Sequence, residues 1–550
     1  MSRIPTIVMI LVVLVFGVFL GTRFSGNREG KLDNQKKLIE AYSLMQGLYV
    51  DEVNGDSLLS AGIQGMAEYL DPHTVYLGPE QVSYSQAEFD GNFDGIGVEF
   101  DVVNDTLLVV SPISGGPSAM AGISSGDRII AIDSVSAIGI TQQEVLRKLR
   151  GKQGTKVKLK VFRPLSGKLI NFVVARGKIA TSSIDAAFML DKRTGYIRLS
   201  RFIATTADEF RRSLALLKKH GMRRLLVDLR GNPGGFLEQA VEVADEFLGQ
   251  GQLIVSIKSH RGGEENENFV AKSGDGFEQG EVIVLVDKGS ASASEILAGA
   301  LQDNKRAVVV GELSFGKGLV QRQLPFGDGS AIRLTVSRYY TPSGRQIQRF
   351  YRKGIAGREH YYKEAMTNIL PQKLFSNPDS LLYVKNSEVS VYRGSSLPLL
   401  LSSIKAGDKG HDKLMELKDA GGIIPDFWVT GKPYSPFYQE LSQAGVFDDI
   451  AQKLLDNPHS QAQEYRSSLD RFILDYLEES GFERLVMKAC QAKKIAFDRA
   501  SFIRERRYIA RAVKSKIAHQ LFGAEGQIKF IVLSTDPIVK IATTVPASLR

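Results

Sequence analysis

Val282-Ile-Val-Leu-Val-Asp-Lys-Gly-Ser-Ala-Ser-Ala-Ser-Glu-Ile-Leu297 decides the fold. Five consecutive apolar residues, Val282 to Val286, are too short a run for a buried helix and read as a buried strand. A run of small hydroxyl residues follows, and from Glu295 to Leu301 the apolar spacing becomes helical. A strand that enters a helix through a tight turn is the repeating unit of an α/β fold. The turn also sets a serine beside helix N–H groups, where developing negative charge is favoured. Ser292 and Glu295 form S-x-x-E as well, the pattern of an ordinary capping box. The stretch alone therefore leaves both a nucleophile and a plain helix start open.

Outward from this stretch, apolar runs and helical patterns alternate. Tyr196–Leu199, Leu225–Leu229, Leu253–Ile257 and Val308–Val310 join Val282–Val286 as expected strands. Thr206–His220, Leu237–Leu248 and Ser292–Gln302 are the expected helices. Such alternation predicts a core of largely parallel, buried strands, with sites at the strands' C-terminal ends. Asp228-Leu-Arg-Gly-Asn-Pro-Gly-Gly235 is a strand running into a glycine-rich turn that can aim N–H groups at a tetrahedral intermediate. Asn, Pro and Gly are also default turn residues. Phe315-Gly-Lys-Gly-Leu-Val-Gln321 places Lys317 between two glycines beside an aromatic ring, where desolvation favours a neutral amine. A serine with a lysine as its base is a known form of nucleophile activation. If the lysine stretch were a strand, Lys317 and Gln321 would share a face.

Earlier in the chain, Gly95-Ile-Gly-Val-Glu-Phe100 and Leu107–Ile113 read as strands, and Pro117–Ala121 as one helical turn. Gly126-Asp-Arg-Ile-Ile-Ala-Ile-Asp133 enters a buried strand. Thr141–Arg150 is a helix with Thr141 and Glu144 as capping box, and Lys156–Arg163 and Asn171–Arg176 are further strands. This module, opened by a Gly-x-Gly loop, resembles a PDZ domain. In that family backbone N–H groups, here those of Ile96, Gly97 and Val98, hold a peptide's terminal carboxylate, and the peptide adds a strand to the sheet edge.

Leu32–Tyr49 and Ser57–Tyr69 carry helical periodicity, and Asp71-Pro-His-Thr ends the second helix. Ile4–Leu20 is nearly all apolar between Arg3 and Arg23, and predicts an uncleaved membrane anchor ahead of a cleaved signal peptide. The rest of the chain is then expected outside the cytoplasm, periplasmic and tethered to the inner membrane. One cysteine, Cys490, excludes an intramolecular disulfide and reads as a packed apolar side chain. The 43% hydrophobic and 24% charged residues exclude a disordered chain. Of the net charge of +9, much lies between Arg484 and Lys516, where eleven Lys or Arg face only Asp498 and Glu505. Phe502, Ile509, Val513, Ile517 and Leu521 recur on one helical face there, so the charges read as a solvated face and not as a nucleic-acid site. Gly357–Asp426 looks loop-rich, helices dominate from Phe437 to about Leu521, and Gln527–Leu533 is a strand candidate.

The order of these pieces resembles the carboxy-terminal processing (tail-specific) peptidases. Leu70-Asp-Pro-His73, Gly195-Tyr-Ile-Arg198 and Tyr339-Tyr-Thr-Pro-Ser-Gly344 add to the likeness, which spans residues 35 to 350. In that family the nucleophilic serine precedes the lysine by 25 positions and the glutamine follows it by four; here 317 − 292 = 25 and 321 − 317 = 4. The resemblance thus implies Ser292, Lys317 and Gln321 as catalytic residues, rather than Ser290 or Ser294. The N–H groups of Gly234 and Ala293 are the candidate oxyanion donors. It implies a mixed α/β, crotonase- or Clp-protease-like Ser-Lys peptidase core with an inserted PDZ-like domain, N-terminal helices and a helical C-terminal extension. The expected bounds are 1–25 for the anchor, 30–90 for the N-terminal helices and 91–177 for the PDZ-like domain. The core spans 178–350, an associated loop-rich region 351–436 and the extension 437–550. No metal or organic cofactor and no nucleic acid is implied. The partners are protein or peptide substrates with free C-termini, the membrane at the N-terminus, and a homo-oligomer or adaptor at the C-terminal helices. No histidine lies between Ser292 and Gln321, His260 being nearest in sequence, which argues against a Ser-His-Asp triad. A catalytically silent PDZ scaffold is the alternative, disfavoured because a scaffold needs no intact serine, lysine and glutamine. A cytoplasmic basic binding protein is disfavoured by the apolar N-terminus.

Overall fold

The computed structural model describes residues 33–545 apart from 104, 114, 260–265, 273–275, 366–388, 394–420, 432–433 and 477–480. The expected anchor at residues 4–20, His260 and most of the expected loop-rich region lie outside the described residues. The chain divides into two compact units: residues 1–82 with 322–335 and 351–359, and all the others.

In the first unit, a helix over residues 33–48 precedes a second, Gly55–Leu70. Asn54 starts the latter by accepting from the Ser57 N–H at 2.9 Å. The Asp71 carboxylate ends it by taking the N–H groups of His73 and Thr74, both at 2.8 Å. Val75–Leu77 then pairs antiparallel with residues 331–333.

The second unit opens with the module that resembles a PDZ domain. Strands β1 (Val98–Val103), β2 (Thr106–Pro112) and β3 (Arg128–Ile132) are followed by helix α1 (Gln142–Leu149), β4 (Lys156–Arg163) and β5 (Lys168–Ala175). They form one sheet in the order β1-β2-β3-β4-β5, so β1 is an edge strand. Strict alternation along β4 buries Val157, Leu159 and Val161 against Val145 and Leu149 of α1. The expected capping box is present, Thr141 receiving the Glu144 N–H while Glu144 receives that of Thr141.

The core sheet follows: β6 (Ile184–Met189), β7 (Thr194–Leu199), α2 (Thr206–Lys219), β8 (Arg224–Asp228), α3 (Leu237–Asp245), β9 (Glu281–Val286), α4 (Ala293–Asp303) and β10 (Val308–Gly311), closed by β11 (Val389–Arg393) and β12 (Phe427–Gly431). Its order is β6-β7-β8-β9-β10-β12-β11, parallel from β7 to β12 with antiparallel edges. On one face Phe210, Leu214, Val243 and Leu297 cover Ile197, Val227 and Val284. Cover on both faces explains the unbroken apolar runs. The strand Leu253–Ser259 corrects one expectation. It stands outside this sheet, pairing antiparallel with Glu267–Val270 and with residues 337–340. Its polar Ser256 and Lys258 suit a half-covered sheet better than a doubly covered one.

The C-terminal region corrects another. The expected strand Gln527–Leu533 is the end of a long helix, α5 (Arg499–Ser534), kinked at Gly523, where φ is 70°. A further helix, α6 (Pro537–Thr544), follows. Val532, Val539, Ile541 and Ala542 pack on Tyr196, Leu226, Ile283 and Leu285, the second face of the core sheet. The β-branched run that suggested a strand is there to cover that face, and burial outweighs local propensity. Upstream, Phe502, Ile509, Val513 and Ile517 are buried as the spacing required, in a helical core that includes Cys490.

Candidate active site

The turn after β8 and the turn before α4 are joined by serines. Ser290 Oγ donates to Leu229 O at 2.8 Å and accepts from the Asp287 N–H at 3.0 Å. Ser294 Oγ donates to Asn232 O at 3.0 Å. Both residues are fully buried, their hydroxyls engaged by the scaffold. Ser292 differs. It is only half-buried, and its backbone holds φ 56° and ψ −114°. An L-residue in such a conformation costs about 1–3 kcal/mol and persists only where its surroundings over-determine it. A serine on a strained strand-to-helix turn presents its Oγ outward.

The surroundings here do over-determine it. The Ser292 N–H donates to Glu295 Oε2 at 2.8 Å, and Ser292 O accepts from the Tyr339 hydroxyl at 3.1 Å. Ala291 N–H donates to Asn232 O at 2.9 Å. Gly234 is wedged against the serine: a Cβ there would lie 2.7 Å from Ala291 O and 2.8 Å from Ser292 Cβ, at a φ of +97°. Only glycine fits such a position.

Two of these groups also hold the lysine. Glu295 Oε2 accepts from the Lys317 N–H at 2.8 Å, and Oε1 accepts from the Gly316 N–H at 2.7 Å and the Ser314 hydroxyl at 2.6 Å. The Tyr339 hydroxyl bonds Lys317 O as well as Ser292 O. Burial pushes the Glu295 carboxyl above its usual range, while its four donors pull it back. Burial and the nearby Glu295 push the Tyr339 phenol far up, so it stays a neutral donor. Gln348 Oε1 takes the Gly318 N–H at 2.9 Å, and Phe315 N–H donates to Ser290 O at 2.9 Å. The backbones of Ser292 and Lys317 are thereby fixed to the same two side chains. Gln321 lies in the strand Leu319–Pro325, but Lys317 precedes that strand. The lysine is thus set by its loop's bonds, not by alternation along one strand.

Of the candidate oxyanion donors, Ala293 N–H is at the first position of α4, where a helix supplies no acceptor. The Gly234 N–H donates to Asn232 Oδ1 at 2.9 Å in this conformation. Three of the described histidines are engaged elsewhere: His220 with Leu216 O, His360 with Glu364, and His519 with Glu99 and Asp101. In the PDZ-like module, Ile96 O accepts from the Ser118 N–H at 2.9 Å and Gly97 O from the Ile113 N–H at 3.0 Å. That anchors the loop leading into the edge strand β1. The sequence reading gave Glu295 only a capping role, and Tyr339 and Gln348 none. The signal for Glu295 was there, an acid three residues after the candidate nucleophile.

Comparison with known proteins gives the family. The model for peptidase family S41 matches residues 193–356, and that for the PDZ domain residues 95–175. The N-terminal domain of an activating protease matches residues 22–81, and a family of unknown function residues 437–523. The carboxy-terminal processing protease CtpB of Bacillus subtilis is 37% identical over 325 residues, covering 58% of this chain and 66% of that protein. The carboxy-terminal-processing protease of Bartonella bacilliformis is 34% identical over 352 residues, covering 62% of this chain and 80% of that protein. Among solved structures, a photosystem II D1 C-terminal processing protease is 27% identical with a TM-score of 0.33, covering 58% of this chain and 90% of that one. With its PDZ domain and its S41 peptidase domain, the chain belongs to the carboxy-terminal processing serine proteases.

Proposed function

We propose that this chain is an exported endopeptidase in which Ser292 and Lys317 form the catalytic dyad. The Ser292 hydroxyl attacks the scissile carbonyl as the neutral Lys317 amine takes its proton. The lysine then delivers that proton to the leaving amine, and water releases the acyl group by the same route reversed. Gln321 orients the amine. Ala293 N–H, with a donor from the Gly234 turn, stabilises the oxyanion; losing one such donor typically costs about 3–4 kcal/mol. The substrate's C-terminus adds a strand to the free edge of β1, its carboxylate held by the N–H groups of Ile96, Gly97 and Val98. The apolar segment at residues 4–20 tethers the enzyme to the membrane. The observation that carries the reading is the strained backbone of Ser292, bonded through Glu295 and Tyr339 to the backbone of Lys317.

The test is digestion of an unfolded protein by the chain from residue 25 onward, with fragments read by mass spectrometry. Wild-type protein is expected to cleave it, and Ser292→Ala to lose cleavage by about a thousandfold or more while folded. A substrate with an amidated C-terminus is expected to be cut more slowly than the free acid. Cleavage by Ser292→Ala at the wild-type rate would sink the dyad, and equal rates on the two substrates would sink C-terminal reading.

A further inference from the structure

The turn beside Ser292 is held on one side by the serines already described. Its other side is held by charge. Arg230, the first residue after β8 and its following leucine, sends Nε to Asp228 Oδ1 at 2.9 Å and Nη2 to Asp228 Oδ2 at 2.6 Å. The same Nη2 donates to Asp536 Oδ2 at 2.6 Å. Asp228 is fully buried and takes the Tyr196 hydroxyl at 2.6 Å and Arg198 at 3.5 Å. Arg198 Nη2 also reaches Arg230 O at 3.4 Å, on the backbone of the turn itself. With Asp185 at 3.8 Å from Arg198, three carboxylates thus face the two guanidinium groups, and one of them comes from the C-terminal segment.

Asp536 has a second task. Its Oδ1 accepts from the N–H groups of Ile538 and Val539 at 2.9 and 3.1 Å, starting α6. The helix so begun lies on the sheet that carries β8. Without the Asp536 charge, Arg230 would be left with Asp228, a carboxylate it shares with Arg198, and the balance that fixes Arg230 would be lost. Arg230 is followed directly by Gly231-Asn232-Pro233-Gly234, whose Asn232 O holds Ala291 and Ser294 and whose Gly234 abuts Ser292.

We propose that Asp536 is a positioning residue of the catalytic turn: the C-terminal segment completes the charge set that holds Arg230, and through it the geometry around Ser292. The proposal rests on Ser292 being the nucleophile.

Asp536→Asn separates the two tasks, because asparagine caps a helix as well as aspartate but carries no charge. Three quantities are measured on the chain from residue 25 onward: kcat and KM for a cleaved peptide, the rate of Ser292 labelling by a fluorophosphonate, and the melting midpoint. Asp536→Asn is expected to lower kcat and labelling about tenfold with KM unchanged, since small misplacements at a reacting centre cost rate more than binding. Asp536→Ala is expected to lose the same rate and also melt earlier. Wild-type kcat and labelling in folded Asp536→Asn would overturn the proposal, as would a lowered midpoint with unchanged kcat per folded molecule. Ser292→Ala, run alongside, reports on the premise: persistent labelling there would overturn the dyad, whatever Asp536 does.

Discussion

At the scale of single residues, three serines in five positions have different roles because of what each hydroxyl meets. Ser290 and Ser294 bond backbone carbonyls of the adjoining turn, and removing either is expected to cost about 1–2 kcal/mol of stability while leaving measurable cleavage. Ser292 alone sits at a positive φ, which no pattern of letters discloses. The sequence did show the 25-residue interval to Lys317, which the family resemblance reads as pointing to Ser292. It did not show that Glu295 is a junction, since a capping acid and a buried acid with four donors have the same spelling. Glu295→Gln tests the junction. The amide turns an NH2 towards N–H donors on one side, leaving buried groups unpaired at about 1–3 kcal/mol each. The expected outcome is a melting midpoint lowered by several degrees and fluorophosphonate labelling of Ser292 slowed at least tenfold. Labelling at the wild-type rate would show that the two loops hold without it. For the lysine, Lys317→Arg keeps a positive charge that is effectively never given up. It is expected to be as inactive as Lys317→Ala in a cleavage assay, and appreciable activity would make Lys317 an electrostatic residue instead of a base.

At the scale of elements, the sequence located most strands and helices because their periods are undisturbed. The alternation of β4 and the capping box of α1 are cases in which local pattern and tertiary burial agree. It failed where the partner decides. Leu253–Ser259 reads like the neighbouring strands, yet pairing with residues 337–340 removes it from the parallel sheet. Residues 527–533 read like a strand, yet they continue α5 past the Gly523 kink and turn Phe530 and Val532 inward. The extension is therefore part of the peptidase core's packing and not merely an appendage. Val539→Asp places a charge against Tyr196 and Leu226, which costs about 3–5 kcal/mol when nothing pairs it. Loss of Ser292 labelling along with unfolding of the core is the expected result. Leu474→Asp, on a side chain 78% exposed, should change stability by less than about 0.5 kcal/mol. If Val539→Asp loosened only the tail, with labelling intact, the extension would be dispensable to the core.

At the scale of the second unit, C-terminal helices bind the PDZ domain to the rest, α5 foremost. Near its kink, α5 presents His519 to two carboxylates of β1, Glu99 at 3.0 Å and Asp101 at 3.5 Å, with Lys516 close to Asp101. Ser125 Oγ donates to Gln520 O at 2.8 Å, and Arg128 pairs with Asp456 on the same side. Glu99 and Asp101 alternate with Val98 and Phe100, which pack into the domain's own core. The edge strand thus uses one face for its fold and the other for the helix. None of this was legible in the sequence, because residues 99 and 519 are 420 positions apart. Burial alone would lower the His519 pKa, but the hydrogen bonds it donates to Asp101 and Glu99 outweigh that and raise it to about 9. A histidine whose pKa is raised on folding contributes stability in full below its unfolded pKa, about 6.5, and loses it as pH rises through the folded value. The window is therefore from about 6.5 to about 9. About a third of each carboxylate side chain stays in water, which holds the contribution to about 1–2 kcal/mol. Guanidinium unfolding at several pH values across that window should show wild-type stability falling by this amount, while His519→Gln, which keeps a donor but does not titrate, gives a flatter profile. The loss should appear first as independent motion of the PDZ domain, read by faster amide exchange in β1 and β2 at pH 9 than at pH 6.5 after correction for intrinsic rates. Parallel pH profiles for the two proteins would mean that His519 does not bind the helix to the strand through its charge, and the contact would then rest on Arg128 and Gln520.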